Sequence, residues 1–283
     1  MAKKILCVIV ITLALVLVLA SCGNQEHTHA FGEWKTTKAA TCTAEGIEER
    51  YCTVKNCEES ETQAISAQGH AYEKGYCSKC ETIEAGALEE QREAVRNITY
   101  NILSNIEAFS YRISGYYENA WYFSIYDSYN YLSYESLLNA FSRYVELDTF
   151  TIDNGAVQYL QSIGKEPTEA NRTVSIRSID GAIGIIQFAV ELTGQNKTLE
   201  KLVAEAEEEF KKINSKVVGE PLAEAVEKYM DAAMDLYNFA KVPSGNYNSY
   251  KSYRMLYYGY CYDYKSPLYD AINSGDWMSE QNQ

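Results

Sequence analysis

Of the eight cysteines, five (Cys42, Cys52, Cys57, Cys77 and Cys80) crowd into one short stretch, and the next is Cys261 far downstream. That stretch holds few aliphatic residues, chiefly Ile47, Val54 and Ile65. A segment so small buries little apolar surface and needs a staple to keep a fold. Beyond it the cysteines stop and helical periodicity begins. The chain therefore divides near residues 81–86, into a Cys/His-rich module over 29–83 and a helical domain over 86–274.

Two staples fit the module. Zinc takes four nitrogen or sulfur ligands, and paired cysteines on two turns present four thiolates tetrahedrally. Cys52, Cys57, Cys77 and Cys80 make such a zinc-ribbon-like set, and Cys42, Cys52, Cys57 and His70 make another. Disulfides compete in an oxidising compartment, although five cysteines leave one over unless Cys261 joins them. Spacing alone chooses neither the staple nor the set. A structural zinc with four protein ligands leaves no open position, so no catalysis is expected there. His27 and His29, close to the start, read as solvated polar residues.

Within the module stand His29-Ala-Phe-Gly-Glu-Trp34, Ala40-Thr-Cys42, Arg50-Tyr-Cys52, Gly69-His70 and Gly75-Tyr-Cys77-Ser-Lys-Cys80. In order and spacing these residues resemble the Cys/His repeats of surface proteins of gut Firmicutes. The resemblance implies a surface spacer or attachment module without catalytic activity. Two departures stand out. Four residues separate Cys52 from Cys57 where the repeat has two, and Glu58 and Glu81 replace the glycines that follow each pair. Glycine relieves the tight turn beside a metal ligand, so its loss bears on metal affinity.

The first residues read as an export leader. Lys3 and Lys4 precede an uncharged run from Ile5 to Ala20, short of the ~20 apolar residues that cross a bilayer. A charged start, an apolar centre and small residues at the end mark a cleaved signal peptide, here residues 1–21. Leu19-Ala20-Ser21-Cys22 resembles the lipobox of bacterial lipoprotein precursors. That resemblance implies a diacylglycerol on the Cys22 sulfur, a tether over residues 22–28, and a mature chain on the extracytoplasmic face of the cell membrane. Two acyl chains suffice for stable anchoring where one does not.

Removing Lys3 and Lys4 with the leader takes the formal charge from −14 to −16. So acidic a surface repels nucleic acid and anionic headgroups. In the helical domain Leu88, Val95, Ile98, Ile102, Ile106, Phe109 and Ile113 recur at threes and fours, predicting a helix over 87–113 that Gly115 ends. Further helices are expected over 117–132, 134–147, 156–163, 178–192, 198–218, 221–240 and 247–264, with a loop at 167–172, a strand at most over 262–264 and a loose tail over 275–283. The stretch 178–192 is apolar nearly all round, so it belongs in the core. The fold class is mainly α, a bundle of about six to eight helices.

Tyrosine is the outlier, at 25 residues against 8 phenylalanines and 3 tryptophans. Tyr250, Tyr253, Tyr257, Tyr260 and Tyr264 advance by threes and fours, which predicts a stripe facing the core. One cluster of tyrosines runs from Tyr111 to Tyr134 and another from Tyr247 to Tyr264, and each holds more rings than one stripe can bury. Tyr122, Tyr126, Tyr258 and Tyr262 are therefore candidates for an exposed ligand-binding face. No H-E-x-x-H, G-x-S-x-G, phosphate-loop or dinucleotide motif occurs, and the helical domain has no histidine. The expected function is a non-catalytic, membrane-anchored cell-surface lipoprotein whose helical domain binds an extracellular glycan or partner protein. The alternative is a glycan hydrolase using a carboxylate pair, Asp127 with Glu135 or Asp231 with Asp235.

Overall fold

The computed structural model describes residues 27–274. The leader with Cys22 and the tail over 275–283 lie outside the described residues. Two units meet between His70 and Ala71.

The first unit is an antiparallel sheet of three strands in the order β1 (Lys35–Lys38), β2 (Gly46–Tyr51), β3 (Ser60–Ile65). Arg50 and Glu61 face each other in the β2–β3 register and form an ion pair. The Arg50 guanidinium also lies 4.5 Å from the Trp34 ring centroid and 5.1 Å from that of Phe31. The spaced aromatics and arginine of the sequence motif are thus one stack, a cation held against two π faces. Gly46 is needed where β2 starts, because a Cβ there would stand 2.5 Å from the Ala40 nitrogen. The strands are otherwise open to solvent, and Cys42 and Cys52 are the module's buried apolar side chains. The sheet has no hydrocarbon core to hold it.

The second unit begins with a small antiparallel sheet of β4 (Tyr72–Glu73), β5 (Tyr76–Cys77) and β6 (Thr82–Ile83). Composition breaks near residues 81–86, whereas the compact units divide at His70 and Ala71, before this sheet. The reason lies in what the sheet touches. Asn214 donates to the Glu73 and Lys74 carbonyls, and a Cβ on Gly75 would stand 2.3 Å from the Ala87 Cβ. Glu81 adopts φ 58, left-handed backbone at a position where glycine is the usual residue. A side chain held there costs about 1–2 kcal/mol.

Helices make up the rest: α1 (Ala87–Arg96), α2 (Ser104–Tyr122), α3 (Tyr134–Val145), α4 (Thr149–Ser162), α5 (Glu169–Arg177), α6 (Ile179–Leu192), α7 (Gln195–Phe210), α8 (Ser215–Val218), α9 (Glu220–Lys241) and α10 (Tyr247–Ser274). The fold is mainly α, as the periodicity predicts. Ser178 caps α6 by accepting from the Gly181 N–H at 3.1 Å, and α6 buries half of its residues, the first Gly181 and the last Val190. Bare backbone lets α4 close on it: a Cβ at Gly155 would meet the Ile185 carbonyl at 2.7 Å.

Several elements depart from the periodicity. The helix begun at Ala87 does not end at Gly115 but runs on through two π-helical stretches, Asn97–Leu103 and Phe123–Asp127. Serine and asparagine side chains satisfy carbonyls there. Asn105 donates to the Asn101 carbonyl at 2.6 Å and Ser124 to that of Ala120 at 2.8 Å, which supports locally widened turns. Residues 167–172 are not all loop, since Thr168 caps α5 through the Asn171 N–H. Residues 262–264 are helical within α10. Pro267 within α10 leaves the Asp263 carbonyl without its ladder donor, on a side open to water.

The tyrosine stripe also falls elsewhere. Tyr253, Tyr260 and Tyr264 are exposed. The inward seam of α10 is instead Tyr250, Arg254, Tyr257, Tyr258, Cys261, Lys265, Leu268 and Ile272. Two cations sit in it because α2 supplies matching carboxylates. Lys265 Nζ lies 2.7 Å and 2.8 Å from the two Glu107 oxygens, and the Tyr229 hydroxyl donates to Glu107 at 2.6 Å. Arg254 donates to Glu118 at 2.8 Å, to the Ser114 hydroxyl at 3.2 Å and to the Tyr111 carbonyl at 3.0 Å. Burial pushes the Cys261 thiol up to about 12, so it is a core residue rather than a nucleophile. Changing Lys265 to Met leaves a buried carboxylate with one phenol for company. Denaturant unfolding is expected to show a loss of about 3 kcal/mol.

Candidate metal centre

Cys52 follows β2 directly, and its N–H donates to the Glu59 carbonyl at 2.9 Å. The chain then turns tightly, with Asn56 in the left-handed region at φ 67 and the Cys57 N–H on the Val54 carbonyl at 3.1 Å. That turn brings Cys57 back beside Cys52. It also shows how the longer spacing works: the left-handed position falls on Asn56, inside the pair, rather than on Glu58 after it. Asparagine tolerates this conformation better than most side chains.

Residues 29–32 run antiparallel beside the hairpin. Phe31 bridges Cys52, the Thr53 N–H donates to the Ala30 carbonyl at 2.8 Å, and the Gly32 N–H donates to that of Tyr51 at 3.0 Å. In an extended segment residues two apart face the same way, so His27 and His29 both point at the cysteines. His29 Nδ1 lies 3.3 Å from Cys57 Sγ, and His27 Nε2 lies 3.8 Å from Cys52 Sγ. All four donor atoms fall within 4.8 Å of one another. Around a tetrahedral ion bound at zinc's ordinary bond lengths, neighbouring donors stand about 3.3–3.8 Å apart. The quartet could therefore hold a metal ion.

Its electrostatics suit that task. Burial raises the Cys52 thiol, but hydrogen bonds from the Val54 backbone, His29, Cys57 and His27 outweigh it and bring the pKa down to about 6. Cys57 shifts the other way, through burial and the neighbouring Cys52 thiolate. One anion is thus ready at neutral pH, and a cation relieves the crowding that holds back the second.

The structure brings Cys52 and Cys57 together, and their neighbours are two histidines that the sequence reading left in solvent. The signal that could have found them was the H-x-H spacing ahead of a strand. Cys42 and His70 meet at another point of the first unit, where the Gly69 N–H donates to the Cys42 carbonyl at 3.0 Å and their donor atoms lie within 4.8 Å. Cys77 and Cys80 pair across a turn of the second unit closed by the Glu81 N–H on the Cys77 carbonyl at 2.8 Å.

The tyrosine candidates divide. Tyr122 and Tyr126 are 39% and 59% exposed and contact each other, and both contact Tyr247, at centroid distances of 5.1–6.1 Å. Tyr262 is exposed, while Tyr258 is half-buried and stacked on Tyr111 at 4.1 Å. No family model, curated protein or solved structure matches the chain.

The metal-free protein should show a thiolate absorbance near 240 nm that rises with a midpoint about pH 6, well below the ordinary thiol value of 9.0. Changing Cys52 to Ser should remove that step. An ultraviolet titration with no transition below pH 8 would mean that the hydrogen bonds from the Val54 backbone, His29, Cys57 and His27 do not act on Cys52.

Proposed function

We propose that this chain is a non-catalytic cell-surface lipoprotein, held on the extracytoplasmic face of the cell membrane by diacylglycerol on Cys22. Its zinc-stapled module carries a helical domain that binds an extracellular glycan or a partner protein. The anchor rests on the lipobox resemblance at Leu19–Cys22. The spacer role rests on the Cys/His motif.

Zinc is favoured over a disulfide between Cys52 and Cys57 by the two imidazoles. A disulfide would leave both histidines crowded against sulfur with nothing to ligate, whereas two sulfurs and two nitrogens complete a closed zinc site. Protein purified from zinc-containing medium should lose one equivalent of zinc per chain on changing Cys52 to Ser, by elemental analysis. An unchanged zinc content would remove the ion from this quartet.

The ligand half rests on one observation: exposed aromatic rings on an otherwise acidic domain, chiefly the contacting Tyr122 and Tyr126. Tyrosine offers a large amphipathic contact area at low entropic cost. The hydrolase reading has less support. Asp127 accepts from Asn130, Tyr131 and Tyr144, and these bonds, that from Asn130 foremost, hold its carboxyl below the usual range. A general acid needs the opposite. Full-length protein should bind immobilised peptidoglycan or mucin glycans saturably and about fivefold more weakly after Tyr126→Ala, by the affinity change such a contact carries. Retention no better than on a protein-coated control would sink the glycan reading.

A further inference from the structure

A cavity of about 370 Å³ opens beside the α2–α10 clasp. That volume lies toward the small end of the range for small-molecule sites. Glu107 and Arg254, each held by its own partner in the clasp, line it together with Tyr111 and Tyr258. Gly115 lets the Arg254 guanidinium lie close against α2 at its edge, because a Cβ there would stand 2.8 Å from Arg254 Nη2.

The polar groups around it are unspent. Arg112 and Glu146 are exposed, and with Asn119 they line the cavity. None of the three side chains makes a hydrogen bond or ion pair with another described residue. The Tyr111 and Tyr258 hydroxyls are likewise uncommitted. Glu146 moreover holds φ 54 as it ends α3, where glycine or asparagine is the usual residue. Strained non-glycine backbone of this kind clusters at ligand sites.

The charges say what kind of ligand fits. Arg254 is paired with Glu118, and Glu107 with Lys265. Arg112 and Glu146 offset one another nearby, and both bear on the Tyr116 hydroxyl. The cavity carries no excess of either sign, so it offers no reward for an ion. It offers donors, acceptors and the ring of Tyr258, which stacks on Tyr111 at 4.1 Å while the Arg254 guanidinium covers Tyr111 at 3.8 Å. We propose that this cavity is a binding site for a single neutral sugar ring, a hydroxyl-rich ligand with an apolar face. The site deepens the glycan-binding reading and rests on it, but it moves recognition from the exposed Tyr122–Tyr126 patch to the clasp.

Saturation-transfer NMR on the full-length protein tests this with N-acetylglucosamine, galactose and glycine as probes. Saturable binding of one of the sugars is expected, weakened about tenfold by Asn119→Ala and by Glu146→Ala, the cost of one good hydrogen bond to a bound ligand. Neither side chain makes a hydrogen bond or ion pair with another described residue, and circular dichroism should match the parent. Sugar binding untouched by these changes but lost with Tyr126→Ala would overturn the cavity and leave the glycan reading standing. Binding of glycine without either sugar would assign the cavity to zwitterions and overturn the proposal. No binding of any probe, together with no retention on the glycan resins, would take down both readings.

Discussion

Two ion pairs set at the same interval hold α2 to α10. Glu107 and Glu118 stand eleven residues apart on one helix, and Arg254 and Lys265 eleven apart on the other. Eleven residues are about three helical turns, so each row presents both charges on one face. The match admits a single antiparallel register, in which Glu107 meets Lys265 and Glu118 meets Arg254. Desolvating four charges costs much of what their attraction returns. The pairs therefore act chiefly in specifying the arrangement, and a one-turn slip would bury all four unpaired. The stability itself comes from the apolar residues around them. Tyr250 packs between Trp121 at 4.7 Å and Phe239 at 4.5 Å, and its own hydroxyl has no partner among the described residues.

The sheet module reaches order by a different route. Its strands bury almost nothing, so the cost of fixing the backbone is not met by apolar contact. What is there instead is a cation between two aromatic faces and a cluster of sulfur and nitrogen donors. The two halves of the chain thus show opposite solutions to one problem. The long half has area enough to bury charges and hold them in register. The short half has too little area to bury anything but cysteine.

The sequence made the broad plan readable and hid the particulars that depend on tertiary partners. The serine cap of α6 and its place in the core follow from local chemistry, and local chemistry is what a sequence displays. The seam of α10 does not. Arg254 and Lys265 look like surface residues until Glu118 and Glu107 are placed opposite, so the periodicity settled on the more apolar tyrosines one step round the helix. The compact units divide earlier than composition suggests, because a cysteine-bearing hairpin resembles the module before it in composition yet packs on Ala87 and Asn214. In the metal centre, Cys52 and Cys57 announced themselves by spacing. His27 and His29 did not, since their role depends on a strand pairing that begins only at Phe31.

The pairing beside β2 has a mechanical side. Residues 27–31 are the first described residues of the chain, and they lie along Cys52 and Thr53 through a few backbone hydrogen bonds. Tension applied from the N-terminal end reaches His27 first. Against hydrogen bonds alone such a segment peels away one bond at a time under low force. An ion held between His27, His29, Cys52 and Cys57 changes the geometry of loading, because the pull then falls on four coordinate bonds at once. With an ion bound, the quartet would stand where traction enters the sheet and would act as a rivet rather than a seam.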